Sequence, residues 1–209
     1  MSVFNCTVTL DAITLRTALL AVSAAKAETS ARHGLDSVFV RASTGTVEMV
    51  ATDGHRLHRT TIATDTVSGD VTAVLDGESI DRLCKALRAV KVSKRATAFP
   101  SVTLKIAPEG AHAEIADPNG ADTAITLRAT YRTHDYPDFE AVIPKRDPEA
   151  KGSYFGVDPA YISQAADCAG QISCTARIQP GETAVSPVLI TAEGAETTFL
   201  AVVMPRRLS

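Results

Sequence analysis

The chain lacks tryptophan altogether, and only 5% of its 209 residues are aromatic, which is sparse for a protein that stacks on splayed nucleic-acid bases. No apolar run approaches the roughly 20 residues of a membrane span, and the mean hydropathy is only +0.06. The opening residues, Met1-Ser2-Val3-Phe4-Asn5, carry neither a basic patch nor an apolar signal core. These absences point away from membrane and secreted proteins and lead to an expected cytoplasmic location. Cysteine is scarce too. Cys6, Cys84, Cys168 and Cys174 form no C-x-x-C pair, and no histidine stands at zinc-finger spacing from them. The expectation is four buried free thiols rather than a disulfide scaffold or a metal site.

Positive charge is not in excess: 21 basic residues face 24 acidic ones, for a net charge of −3. Any contact with nucleic acid must therefore be local. Catalytic signatures are missing as well, with no P-loop, no H-E-x-x-H and no nucleophile motif. Asp53, His55 and His58 are the nearest thing to a catalytic or metal cluster. A strand would put the two histidines on opposite faces, because their spacing is odd. No enzymatic activity, metal or cofactor is expected.

What the chain does contain is a repeat. Thr7–Leu15, Thr72–Ile80 and Tyr154–Ile162 share one pattern: a short β-like run, an apolar residue, Asp, and an apolar residue four places on. Asp11, Asp76 and Asp158 suit helix N-caps, since a carboxylate accepts bonds from the free N–H groups of the first turn. The pairs Leu10/Leu15, Leu75/Ile80 and Val157/Ile162 fall at hydrophobic-staple positions, and Pro159 sits where a missing N–H costs nothing. The first helix is predicted to run to about Ala27. The second carries the apolar seam Ile80, Leu83, Leu87 and Val90, and the third is predicted to stop at Gly170.

Three strand-like stretches follow each helix: Ser37–Arg41, Thr46–Ala51 and Arg56–Ile62; Val102–Ile106, Ala111–Ile115 and Thr123–Arg128; Ser173–Ile178, Pro187–Thr191 and Thr197–Met204. Tyr131–Lys151, polar and with Pro137, Pro144 and Pro148, reads as a linker. The fold class is α+β, with repeated strand–helix–three-strand units, mostly antiparallel sheet, and three helices on one face.

Three strings carry a family resemblance: Val50-Ala51-Thr52-Asp53-Gly54-His55-Arg56-Leu57, the run Tyr136–Lys145, and Val202-Val203-Met204-Pro205-Arg206-Arg207-Leu208. In this order they resemble the bacterial sliding clamp, the β subunit of DNA polymerase III. Residues 1–145 resemble its complete middle domain, and 152–209 the second half of its last domain, with 146–151 between them. The resemblance implies a DNA-clamp fold and a replication role as a processivity factor: a ring of twelve half-domains around duplex DNA, held by non-specific phosphate contacts. Three half-domains per chain imply four chains, a homo-tetramer. It also implies DNA polymerase and other proteins bearing a clamp-binding motif as partners, with a clamp loader, and a cleft that takes their short hydrophobic motif. The matching cleft positions are Thr52, Gly54, His55, Arg56, Leu57, Pro144, Val202, Val203, Met204, Pro205 and Arg207. Arg206 stands where the family usually has an apolar methionine, and is expected to narrow or charge the cleft.

For DNA, residues 79–95 hold Arg82, Lys85, Arg88, Lys91, Lys94 and Arg95 against the single acid Asp81, a net +5 that leaves −8 for the rest of the chain. Such a local positive stretch on an acidic body suits phosphate contact without base reading. The alternative is a non-ring module of the same fold that binds or sequesters clamp-binding proteins.

Overall fold

Three aspartates start the three helices. Asp11 Oδ1 accepts from the N–H groups of Ile13 (2.9 Å) and Thr14 (2.8 Å), Asp76 Oδ2 from Ser79 N (2.9 Å), and Asp158 Oδ1 from Ala160 N (2.9 Å). These caps open α1 (Ala12–Ser23), α2 (Gly77–Ala89) and α3 (Pro159–Ile172). The computed structural model describes residues 5–28, 34–90, 99–118, 122–131, 136–144, 156–181, 183 and 185–206. Lys91, Lys94, Arg95, Arg207 and the 146–151 segment lie outside them.

The strands are β1 (Cys6–Asp11), β2 (Val38–Ser43), β3 (Thr46–Thr52), β4 (Arg56–Ala63), β5 (Val71–Leu75), β6 (Ser101–Ala107), β7 (Gly110–Ala116), β8 (Thr123–Tyr131), β9 (Ala176–Gln179), β10 (Val188–Glu193) and β11 (Thr197–Val203). They form one sheet in the order β1-β6-β7-β8-β5-β2-β3-β4-β11-β10-β9, with every pair antiparallel. The first two units exchange their leading strands: β1 pairs with β6 of the second unit, and β5 with β2 of the first. The third unit joins through its last strand, with β11 lying against β4 from Thr197↔Ile62 to Val203↔Arg56.

All three helices cover one face, and α1 packs against both α2 and α3. Ile80, Leu83 and Leu87 of α2 are buried with Leu15 and Leu19 of α1 over the strands of the first two units. Each such side chain contributes about 1.5–3 kcal/mol by leaving water. Under α3 a second cluster joins Ala165, Cys168 and Ala169 to Val188, Ile190, Phe199 and Ala201.

Four expectations need correction. The first helix ends at Ser23, not Ala27, and closes in a turn in which Ala25 N donates to Val22 O (3.0 Å). Gly170 does not end α3, which continues to Ile172, where the Ser173 N–H donates to Ala169 O at 3.0 Å. Cys6, Cys84 and Cys168 are buried, with burial pushing the last two thiols up to about 11, whereas Cys174 is exposed. The stretch read as a linker begins inside β8, and its described part, 136–144, packs on the sheet face opposite the helices. There Tyr136 and Phe139 are buried against Phe39, Val50, Leu57 and Val202.

Candidate functional site

The β3–β4 turn is fixed by its own side chains. Thr52 Oγ1 donates to Arg56 O (2.6 Å) and accepts from Gly54 N (3.1 Å), while Asp53 Oδ1 accepts from the backbone of His55 (2.9 Å) and Arg56 (3.0 Å). Gly54 has φ +88°, a left-handed conformation that L side chains resist. The Arg56 guanidinium donates from Nε to Asp53 Oδ2 (2.9 Å), reaches Gln164 of α3, and lies 4.5 Å over the Tyr161 ring. Two of its donors thus clamp the turn to itself and to α3.

The chain's tail returns to this turn. Met204 N donates to His55 O (3.0 Å), extending the β4–β11 ladder by one bond. From outside, the aromatic segment closes in. Phe139 meets Phe39 edge-on at 5.0 Å, and Tyr136 Oη donates to Val50 O at 3.4 Å. Burial raises the Tyr136 phenol well above its ordinary range. Glu140, in the 3₁₀ turn Glu140–Val142, binds Arg41 (3.0 Å) and Arg59 (3.6 Å), which also meet the nearly buried Glu48.

Together these elements bound a cleft of about 200 Å³, lined by Leu35, Thr52, Gly54, Arg56, Leu57, Pro137, Asp138, Phe139, Val142, Val202 and Met204. Six expected residues, Thr52, Gly54, Arg56, Leu57, Val202 and Met204, meet here. Met204 and Val142 are 37% and 44% exposed, a high value for large apolar side chains. Pro144 lines a separate cavity of about 340 Å³ with Arg59, Ile143, Leu189 and Leu200. Arg59 and Leu200 lie two residues from Leu57 and Val202, so the two hollows follow one another along the β4–β11 seam.

The other expected residues fall elsewhere. Val203 is fully buried under α3. His55 is exposed and contributes its carbonyl, and Pro205 does not line the cleft. Arg206 does not charge the cleft: its guanidinium binds Asp158 Oδ2 (2.9 Å) and its N–H donates to Gly156 O (2.8 Å), tying the tail to the start of α3. Leu35, Pro137, Asp138, Phe139 and Val142 complete the lining without standing among the expected cleft residues, although the last four lie in the distinctive run Tyr136–Lys145.

No protein-family profile matches the chain, and no curated protein matches it by sequence. Solved structures do. A DNA polymerase III β subunit from Thermotoga maritima superposes with a TM-score of 0.73 at 16% identity, over 100% of this chain and 67% of that one. The chain has the fold of the bacterial sliding clamps. A putative β subunit from Eubacterium rectale gives a TM-score of 0.75 at 11% identity over 100% and 67% of the two chains. The Pseudomonas aeruginosa clamp bound to griselimycin gives 0.69 at 16% identity, over 100% and 67%. The chain spans about two thirds of the length of these clamps.

On the helix face, Arg82, Lys85 and Arg88 of α2 are all exposed, and Arg82 donates to Ser79 Oγ (2.9 Å). Lys26, after α1, is held by Asp81 at 3.1 Å. The helix α3 carries no lysine or arginine. Among the described residues no group of His, Cys, Asp and Glu could hold a metal ion.

Proposed function

We propose that this protein is a compact sliding clamp: a processivity factor that encircles duplex DNA as a homo-oligomeric ring and tethers its partners through the cleft at the β4–β11 seam. The observation that carries this reading is the cleft itself. Its apolar floor of Leu35, Leu57, Phe139 and Val202 sits between exposed Met204 and Val142, and polar groups are confined to Thr52, Arg56 and Asp138. Such a site takes apolar side chains and orients them with a few polar contacts, and a methionine at the mouth adapts to differing partners. The second hollow continues along the same strands, so an extended hydrophobic peptide of the Gln-Leu-x-Leu-Phe type has room for successive anchors in both.

The test is peptide binding by fluorescence anisotropy. The unmodified protein is expected to bind such a peptide, and Met204→Asp to weaken it at least tenfold, because a carboxylate in an apolar contact is poorly compensated. Met204 is exposed, so the fold should survive the change. Equal affinity in both proteins would place partner binding elsewhere.

The helix face supports the DNA half of the reading. Basic side chains on α2 would meet phosphates without reading bases, giving weak and salt-sensitive contacts that permit sliding. Lys85→Glu combined with Arg88→Glu should lower retention on circular duplex DNA and flatten its salt dependence. Retention on circular but not linear DNA would mark topological linkage. Peptide binding without any retention on DNA would favour the second reading, a non-ring module that binds or sequesters clamp-binding proteins. The low basic charge of α1 and α3 is the feature that keeps this reading open.

A further inference from the structure

We infer that β8 is a two-fold interface, on which Ala124 of one chain lies opposite Ala124 of a second copy. The register is already set inside the chain. β4 and β8 are the last strands of equivalent units, and each pairs with the strand before it: Ala51↔His58, Met49↔Thr60 and Val47↔Ile62 in the first unit, Ile115↔Thr123, Ala113↔Ile125 and Ala111↔Leu127 in the second. These pairs alternate in step along the helix-facing side, so Arg59 corresponds to Ala124. In the third unit Ala192↔Phe199 and Ile190↔Ala201 bracket Leu200 in the same way.

The β4–β11 ladder pairs Arg59 with Leu200. That seam therefore joins two last strands about equivalent residues, and its register is self-complementary. The same geometry can be made by two identical strands across a two-fold axis.

β8 has the edge to use it. Beyond Asp76, whose N–H donates to Arg128 O, the β5 side of the strand turns away to pair with β2. Ala124, Ile125, Thr126 and Leu127 are bonded to β7 on one side, with no strand on the other among the described residues. This stretch has no proline, no lysine and no charge, the features by which natural edge strands discourage pairing. Its counterpart β4 is covered along its whole length by β11. By contrast β1 is closed off, because Thr7 and Ser68 exchange backbone bonds of 2.9 and 2.8 Å.

The occupant is a second copy rather than a foreign strand because the register needs no adjustment. Ala124 is small and exposed, so its methyl group meets its own symmetry mate without a clash. A head-to-tail arrangement would instead set β8 against β9, a first strand of its unit. Within this chain first strands join other units only through leading strands, as in β2–β5 and β6–β1. The inference deepens the ring reading by naming one contact, yet it stands on strand topology and does not need DNA or peptide binding.

The test uses the full chain with Cys174→Ser, which removes the exposed thiol. Opposed antiparallel residues have Cα atoms about 4.5–5.5 Å apart, within the range of about 4.4–6.8 Å that a disulfide spans. Adding Ala124→Cys and oxidising mildly should convert most of the protein into a covalent dimer, whereas Glu109→Cys, in the exposed β6–β7 turn, should not. In a separate variant, Ala124→Lys places like charges opposite each other and should halve the mass seen by light scattering. Circular dichroism confirms that each variant is folded. A wild-type mass near that of four 22.0 kDa chains, about 88 kDa, with cross-linking at Ala124 supports both the interface and the ring. A mass of two chains with the same cross-link supports the interface and removes the closed ring. No cross-link above the Glu109 control, or an unchanged mass in Ala124→Lys, overturns the interface.

Discussion

Phe199→Ala is expected to destabilise the protein by about 3–5 kcal/mol, a large part of a typical domain's 5–15 kcal/mol. Phe199 is the largest fully buried side chain among the described residues, at 1% exposure. On one side it packs with Ala165, Cys168 and Ala169 of α3 and with Ile190 of β10. On the other its ring meets His58 of β4 edge-on at 5.1 Å. Truncation removes the transfer energy of the ring and leaves a cavity that neither the β4–β11 ladder nor the capped α3 can close. The loss should concentrate in the third unit, so urea unfolding should show the lowered stability and hydrogen exchange should show α3 and β9–β11 opening first. Thr198→Ala, one residue away and exposed, is the control and should change stability by less than about 1 kcal/mol. Equal effects from the two substitutions would mean that the third unit is not held to the first through this side chain.

The same seam explains what the sequence could and could not disclose. The helix starts were legible because an Asp cap and its staple act within five residues: Asp11, Asp76 and Asp158 all cap where the pattern places them. Strand positions were legible from alternation and from turns such as Ser43-Thr44-Gly45, with ends displaced by a few residues. Two walls of the cleft were legible because Thr52–Leu57 and the tail are distinctive strings. The third wall was hidden. Pro137 and its polar neighbours suggested a linker, while the signal that the segment is packed lay in Tyr136 and Phe139, two aromatics in a chain with few. Leu35 could not be found, since only the folded β3–β4 turn brings it beside Gly54. Nor could Arg206 be placed from the sequence, because its partner Asp158 is 48 positions away and is selected by the bridge between Gly156 and Arg206. Local chemistry was readable, and contacts between units were not.

Acid is expected to destabilise this protein through His58. Its Nδ1–H donates to the Ala21 carbonyl of α1 at 2.7 Å, and its Nε2 is buried with no hydrogen-bond partner among the described residues. Protonation would put a charge and an unmatched donor between α1, β4 and Phe199. Burial therefore pushes its pKa from 6.5 down to about 4; the nearby Arg56 adds to the fall, while the Ala21 carbonyl and Asp53 oppose it. The depressed value fixes the sign. The unfolded chain takes up this proton first, so the contribution is fully present above about pH 6.5 and is lost as pH falls from there toward about 4. A difference of that size corresponds to about 3 kcal/mol. Chemical unfolding at fixed protein concentration, from pH 7 to pH 4, should show this loss in the native protein. In His58→Gln, whose amide can still donate toward Ala21 but does not titrate, the slope should be shallower by a similar amount. That variant should start from a lower stability at pH 7 and approach the native protein as the solution becomes acid. Parallel pH profiles for the two proteins would show that His58 takes up its proton at the same pH in the folded and the unfolded chain, and that burial between α1, β4 and Phe199 does not depress its pKa.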